Sequence, residues 1–220
     1  RDRSPSRGLG DVYKRQKEYI GGQCGNPEGL GGIACAKFMN FFNAEHYRAV
    51  KKFVCKLDGA RILDIGFGNG VTIKKLSKNI NAKFYGVDIS ADMVEKAKRE
   101  NRDGVNTNKV ILQQGKAEEL PYNDDFFDTV YTVNTIYFWE DTAKVLDEVR
   151  RVLKDGGNFI CTFYTKGYLD KLPYCDTGFD KFTPQQVRSM ARERGFHDVK
   201  VKILSDCKAY CLVGTKIEGE

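Results

Sequence analysis

The residues best suited to do chemistry fall in two short stretches. Asp64-Ile65-Gly66-Phe67-Gly68-Asn69-Gly70 sets three glycines at alternate positions behind an acid, and Asp88 follows Gly68 by 20 residues. Glycine lets backbone approach a ligand because no Cβ intervenes. A carboxylate one strand further on can accept both hydroxyl protons of a ribose. The pair describes a nucleoside site. A dinucleotide fingerprint, Gly-x-Gly-x-x-Gly, needs its third glycine where the chain has Val71, with the glycine one position earlier, so a diphosphate cradle is not expected. Other chemistries lack parts. The two histidines, His46 and His197, form no His-Glu-x-x-His pair, and no Gly-x-Ser-x-Gly turn occurs. The seven cysteines include no Cys-x-x-Cys, which argues against a zinc knuckle or a disulfide framework. No metal site is expected.

These residues need a scaffold of alternating strands and helices. Arg61–Ile65 reads as a β-rich run ending at the glycines, followed by a helix over 71–80 and a strand over 82–88. Ser90 is positioned to cap a helix reaching about Arg102, and strands follow at 110–114 and 127–133. Residues 141–154 carry Val145, Leu146, Val149, Val152 and Leu153 on one helical face, and Gly156-Gly157 is expected to end that helix before a strand at 158–164. Thr183-Pro184 supplies a cap and an N1 proline for a helix closing at Gly195. Val199, Val201 and Ile203 then alternate with lysines before a last strand at 210–213. Upstream, Asn43 is a plausible cap for a helix bearing Tyr47, Val50, Phe53 and Val54 at three- and four-residue intervals. The expected fold is α/β: a doubly wound sheet of seven strands, mostly parallel, with an antiparallel C-terminal hairpin at one side and N-terminal capping helices.

Composition narrows the class further. A chain of 220 residues with 41% hydrophobic content suits one globular domain, and no apolar run approaches bilayer length. Nothing at the start reads as a secretory signal, so a cytoplasmic address is expected. Half of the net charge of +6 lies in residues 1–16, where Arg1, Arg3, Arg7, Lys14 and Arg15 stand against Asp2 and Asp11. The rest is too weakly basic to signal a polyanion partner. Ser6 to Gln16 also match the translation of a transposon-type sequencing adaptor, so residues 1–16 are expected to be foreign to the fold. The expected organisation is this leader, a helical cap over 17–58, and a cofactor-binding domain over 59–220.

The glycine loop, read as Asp-x-Gly-x-Gly-x-Gly, resembles the first motif of the class I S-adenosylmethionine-dependent methyltransferases, in particular those of the type 11 group with a Rossmann-like core. Tyr85-Gly-Val-Asp88-Ile89-Ser90 with Met93 is similar to their second motif. Gln114-Gly-Lys116-Ala117-Glu118-Glu-Leu-Pro-Tyr122 resembles their adenine-bordering segment, with Lys116 in place of the usual acid. Asp125-Phe-Phe-Asp128, Leu153-Lys-Asp-Gly-Gly157 and Phe182-Thr-Pro184 continue the match, which spans 61–216. The resemblance implies S-adenosylmethionine as methyl donor. It also implies Asp64, Gly66, Phe67, Gly68, Gly70, Asp88, Ile89, Met93, Ala117, Glu118 and Asn134 as the residues around it.

A sulfonium methyl group is already activated, so the reaction needs alignment more than acid–base machinery. Where the acceptor must lose a proton, His46 is the first candidate base, with Tyr47, Tyr137 and Glu140 behind it. The loop Asn134-Thr-Ile-Tyr137-Phe-Trp139-Glu140 is expected to face cofactor and acceptor, while His197 and Phe138 are expected to be structural. This loop has neither the Asp/Asn-Pro-Pro-Tyr/Phe of amino-nucleobase enzymes nor the Pro-Cys of cytosine C5 enzymes, and it lacks the paired glutamates of arginine methyltransferases. A small-molecule acceptor is favoured, on a monomer or homodimer without nucleic-acid or membrane partners. An RNA or protein methyltransferase and a catalytically silent cofactor-binding regulator are the alternatives.

Overall fold

Strand-forming residues gather in a seven-stranded sheet of order β3-β2-β1-β4-β5-β7-β6 in a computed structural model that describes residues 44–172, 175, 180–206 and 208–217. The strands are β1 (Arg61–Ile65), β2 (Lys83–Asp88), β3 (Val110–Gln114), β4 (Phe127–Val133), β5 (Leu153–Tyr164), β6 (Phe196–Ser205) and β7 (Ala209–Lys216). The first five run parallel, and β7 inserts antiparallel between β5 and β6. The chain winds outward through β2 and β3, then returns to β4 on the other side of β1. The crevice between the carboxyl ends of β1 and β4 is therefore the switch point at which such sheets bind ligands.

Helices cover both faces, as the apolar spacing requires. Helix α1 (Ala44–Val54), α2 (Val71–Ser77) and α3 (Ala91–Glu100) place Val50, Val54, Ile73, Leu76, Val94 and Ala97 against Ile62, Phe84 and Tyr131 on the back. After the short α4 (Arg102–Asn106), α5 (Thr142–Val152) buries Val145, Leu146, Val149 and Val152 on the front. The four-residue α6 (Lys166–Leu169) follows β5, and α7 (Pro184–Glu193) adds Val187 and Ala191 to the front core. The caps expected at Ser90 and Thr183 form: Ser90 Oγ accepts from Met93 N, and Thr183 makes a reciprocal capping box with Gln186. Asp141, not anticipated as a cap, accepts from Lys144 N at the start of α5.

Several boundaries differ from the sequence expectation: the helix expected over 71–80 ends at Ser77, the strand expected over 158–164 begins at Leu153, and the last strand runs from Ala209 to Lys216. The helix expected over 141–154 stops at Val152, because Leu153 pairs with Phe127 and so already belongs to β5. Thr129 next pairs with Asn158, so the strand bulges through Gly156, where φ is 74°. The helix after Ser90 ends at Glu100 rather than Arg102, and Asn101 breaks it to donate to Ala97 O and Gly70 O. The adaptor-like leader 1–16, residues 17–43 of the expected helical cap and the expected capping residue Asn43 lie outside the described residues.

Candidate cofactor cleft and acceptor edge

The loop after β1 places glycine at positions that other residues occupy only at a cost. Gly66, Gly68 and Gly70 have φ of 72°, 55° and 71°, a region that costs other residues ~1–2 kcal/mol. Gly66 N donates to Val87 O at 2.8 Å, and a Cβ there would collide with the Thr135 side chain. A Cβ on Gly70 would meet Asn101 Nδ2 at 2.7 Å. At Gly68, by contrast, a Cβ would meet nothing within 4 Å, so the loop presents an open face there.

Asp88 closes the cleft from the end of β2. Its Oδ2 accepts from Gly68 N at 2.7 Å and its Oδ1 from Ser90 N at 3.0 Å, with the residue only 7% exposed. Burial pushes its pKa up and the two N–H donors hold it back. Each oxygen retains a second lone pair, enough to accept the two hydroxyls of a ribose. Next to it Ile89 is 45% exposed, one of few large apolar side chains left open to water among the described residues. Gly115 N donates to Asp88 O and Gln114 Nε2 to Ile89 O, both at 3.0 Å, so the ends of β2 and β3 form one surface.

The remaining expected cofactor residues take varied positions. Phe67 sends its ring into the back core, where Gly86 has no Cβ to obstruct it. Met93 is 1% exposed. Ala117 packs partly against the front core, and Glu118 Oε1 accepts from Glu140 N at 2.9 Å. Asp64 lies 2% exposed, its pKa pushed up to about 8, chiefly by burial, with Asp88 adding to the shift and Tyr131 opposing it. The Tyr131 hydroxyl is itself buried and makes no hydrogen bond of good geometry among the described residues, so burial is the stronger influence.

A second group gathers at the carboxyl ends of β4 and β5. Asn134 is held at φ 57° by its own N–H to Thr162 O, 2.9 Å. Tyr137 Oη accepts from Tyr164 N and lies 3.2 Å from Asn134 Oδ1 and 3.3 Å from Tyr164 O. It is 4% exposed, and burial raises its pKa far above the ordinary phenol value. His46 stands edge-on to the Tyr164 ring, centroids 4.8 Å apart. It is fully buried, neither ring nitrogen has a hydrogen-bond partner among the described residues, and burial lowers its pKa to about 4. Tyr47 is not part of this group: it packs on the back layer with Lys75 Nζ 5.3 Å from its ring centroid. Trp139, at 6% exposure, belongs to the front core, with Phe138 packed against it. No motif or spacing singles out Tyr164, whose importance comes from ending β5 beside Tyr137.

Among the described residues no helix is long and apolar enough to cross a membrane, and no group of three or more His, Cys, Asp or Glu could hold a metal.

A glycine loop at the switch point, an acid at the end of β2 and a sheet with an antiparallel last strand define a nucleoside-binding class with a Rossmann-like core. A family profile described as a methyltransferase domain matches residues 63–161. An uncharacterised protein of Methanocaldococcus jannaschii is 35% identical over 163 residues, covering 69% of this chain and 70% of that protein. A ubiquinone/menaquinone biosynthesis C-methyltransferase of Proteus mirabilis is 31% identical over 132 residues, 57% of this chain and 53% of its own, so the chain spans about half the length of that relative. The fold matches Haemonchus contortus phosphoethanolamine N-methyltransferase 2, solved with phosphomonomethylethanolamine and S-adenosylhomocysteine, at a TM-score of 0.68 and 18% identity over 80% of this chain and 53% of that one. The chain belongs to the S-adenosylmethionine-dependent methyltransferase family. The open face of Gly68, the spare lone pairs of Asp88 and the exposed Ile89 fit that cofactor.

Proposed function

We propose that the chain transfers the methyl group of S-adenosylmethionine to a nucleophilic atom of a small-molecule acceptor. The cofactor supplies a methyl group already activated by its sulfonium. Asp88 accepts the ribose hydroxyls, Gly68 admits the cofactor chain, and Ile89 carries the base. Asn134, clamped through Tyr137 to the β5 backbone, borders the reacting end. Holding the acceptor in line behind the methyl group is the main contribution of the protein, worth ~7–11 kcal/mol in well-oriented systems.

The observation that carries the small-molecule reading is His46, a fully buried imidazole beside the Tyr164 ring whose two nitrogens have no hydrogen-bond partner among the described residues. An unsatisfied buried polar group costs ~1–3 kcal/mol, which a bound acceptor would recover. Such an enclosed aromatic edge suits a compact molecule better than a polyanion. With a pKa of about 4 the imidazole stays neutral at pH 7. It therefore orients a proton-bearing acceptor by hydrogen bonding and is a weak general base. Tyr137, whose hydroxyl is engaged by the backbone, acts as a positioning residue.

The test supplies methyl-labelled cofactor with separate small-metabolite, RNA and protein fractions. Label is expected in the small-metabolite fraction, and label confined to RNA or protein would overturn the assignment.

A further inference from the structure

Tyr47, Tyr137 and Glu140, the candidate bases behind His46, are engaged elsewhere. Tyr47 packs on the back layer with Lys75 Nζ over its ring. The Tyr137 hydroxyl is occupied by the β5 backbone. Glu140 lies open to solvent, with Lys116 Nζ 3.4 Å from both of its carboxylate oxygens. His46 is fully buried on α1, edge-on to the Tyr164 ring, and neither nitrogen has a hydrogen-bond partner among the described residues. Burial disfavours the imidazolium, so the ring is neutral at pH 7 and offers one N–H and one lone pair. It can direct a proton-bearing group and is a poor acceptor of the proton itself.

That limits the acceptor. Hydroxyl and carbon nucleophiles react after a base removes a proton, a thiol attacks as its thiolate, and an alkylamine, like lysine, is an ammonium ion at pH 7. Each brings a charge to this edge or needs a proton taken away, and an unpaired charge is costly beside buried aromatic rings. The Asp170 carboxylate, just beyond β5, is already taken by Lys166 and Lys181. An aromatic amine is different, because its weakly basic nitrogen is unprotonated at pH 7 and keeps both a lone pair and an N–H. Tyr164 and Tyr168, ring centroids 5.1 Å apart, add an aromatic surface next to His46 on which an aryl ring can pack. We infer that the methyl acceptor is an aromatic amine whose N–H donates to His46, which turns the nitrogen lone pair toward the methyl group. This rests on the small-molecule reading above and names the class of acceptor for the same site. The lone pair forms the N–C bond as the sulfonium S–C bond breaks, and the electron pair of that bond stays on sulfur. The nitrogen, now cationic, gives its N–H proton to water, so no base in the chain is needed.

The test incubates the full chain with cofactor carrying a ¹³C methyl group and a small-metabolite extract of cells grown on ¹⁵N ammonium. NMR of the product reads the acceptor atom directly, since a methyl group on nitrogen shows ¹³C–¹⁵N coupling and the nitrogen shift separates aryl from alkyl amines. The label is expected on an aryl nitrogen. With that amine as substrate, His46→Leu is expected to lower kcat/KM at least tenfold, and His46→Gln, which keeps an acceptor oxygen, to recover most of the loss. Both variants are expected to bind S-adenosylhomocysteine as wild type does and to melt cooperatively. A methyl group on oxygen, sulfur, carbon or an alkyl nitrogen would overturn the inference and leave the small-molecule reading standing. A His46→Leu protein as active as wild type, or a His46→Gln protein no better than His46→Leu, would also overturn it. Label in no small metabolite would remove the small-molecule reading and this inference with it. The acceptor atom is read on wild type, so that arm does not depend on either variant folding.

Discussion

The two oxygens of Asp88 each take one backbone N–H, and this pins the glycine loop to the end of β2 while leaving acceptor capacity for a ligand. Asp64, 24 residues earlier in the chain, takes no backbone N–H among the described residues, and burial pushes its pKa up to about 8. Between the ordinary value of 3.8 and about 8, the folded chain holds a proton there that the unfolded chain releases, so this residue's contribution to stability falls as pH rises through that window. Asp64→Asn should therefore raise the melting temperature over wild type by more at pH 8 than at pH 5. An equal difference at both would contradict the burial argument. For His46 the sign is opposite, since burial favours loss of its proton. An NMR titration should find its midpoint near 4, and kcat should show no step near 6.5 that Gln at this position removes. A midpoint above 6 would restore the imidazole as a general base.

At the scale of elements, the glycine loop separates two roles that look alike in sequence. Gly66→Ala forces a Cβ against Thr135 at positive φ and should cost ~2 kcal/mol or more of stability. Gly68→Ala carries only the backbone strain, ~1–2 kcal/mol, and places its methyl in the open face of the cleft. It should weaken S-adenosylhomocysteine binding at least tenfold while the protein stays folded, as denaturant melts and calorimetry would show. Strands β1, β3 and β4 were legible to the residue because short β-rich runs bounded by turn signals leave little freedom. The ends of α3 and α5 were not. They are set by long-range partners, Gly70 for Asn101 and Phe127 for Leu153, which local periodicity does not encode. The same holds at the site: the glycines and Asp88 announce themselves by spacing, whereas the Tyr137–Tyr164 clamp and the Lys116–Glu140 bridge exist only once the strands are side by side.

Across the whole molecule, the sheet brings the glycine loop, Asp88, Asn134 and Tyr164 to its carboxyl edge, though they are spread over a hundred residues of sequence. Helices α1 to α3 and α5 with α7 bury the two faces and leave that edge for ligands. The most direct test of the account is calorimetric titration of the full chain with S-adenosylhomocysteine, alongside Asp88→Ala and the shape-preserving Asp88→Asn. Micromolar binding by wild type is predicted, falling at least a hundredfold in Asp88→Ala and by less in Asp88→Asn, with cooperative melting in all three. Folded wild type that does not bind, or Asp88→Ala that binds as tightly as wild type, would contradict it.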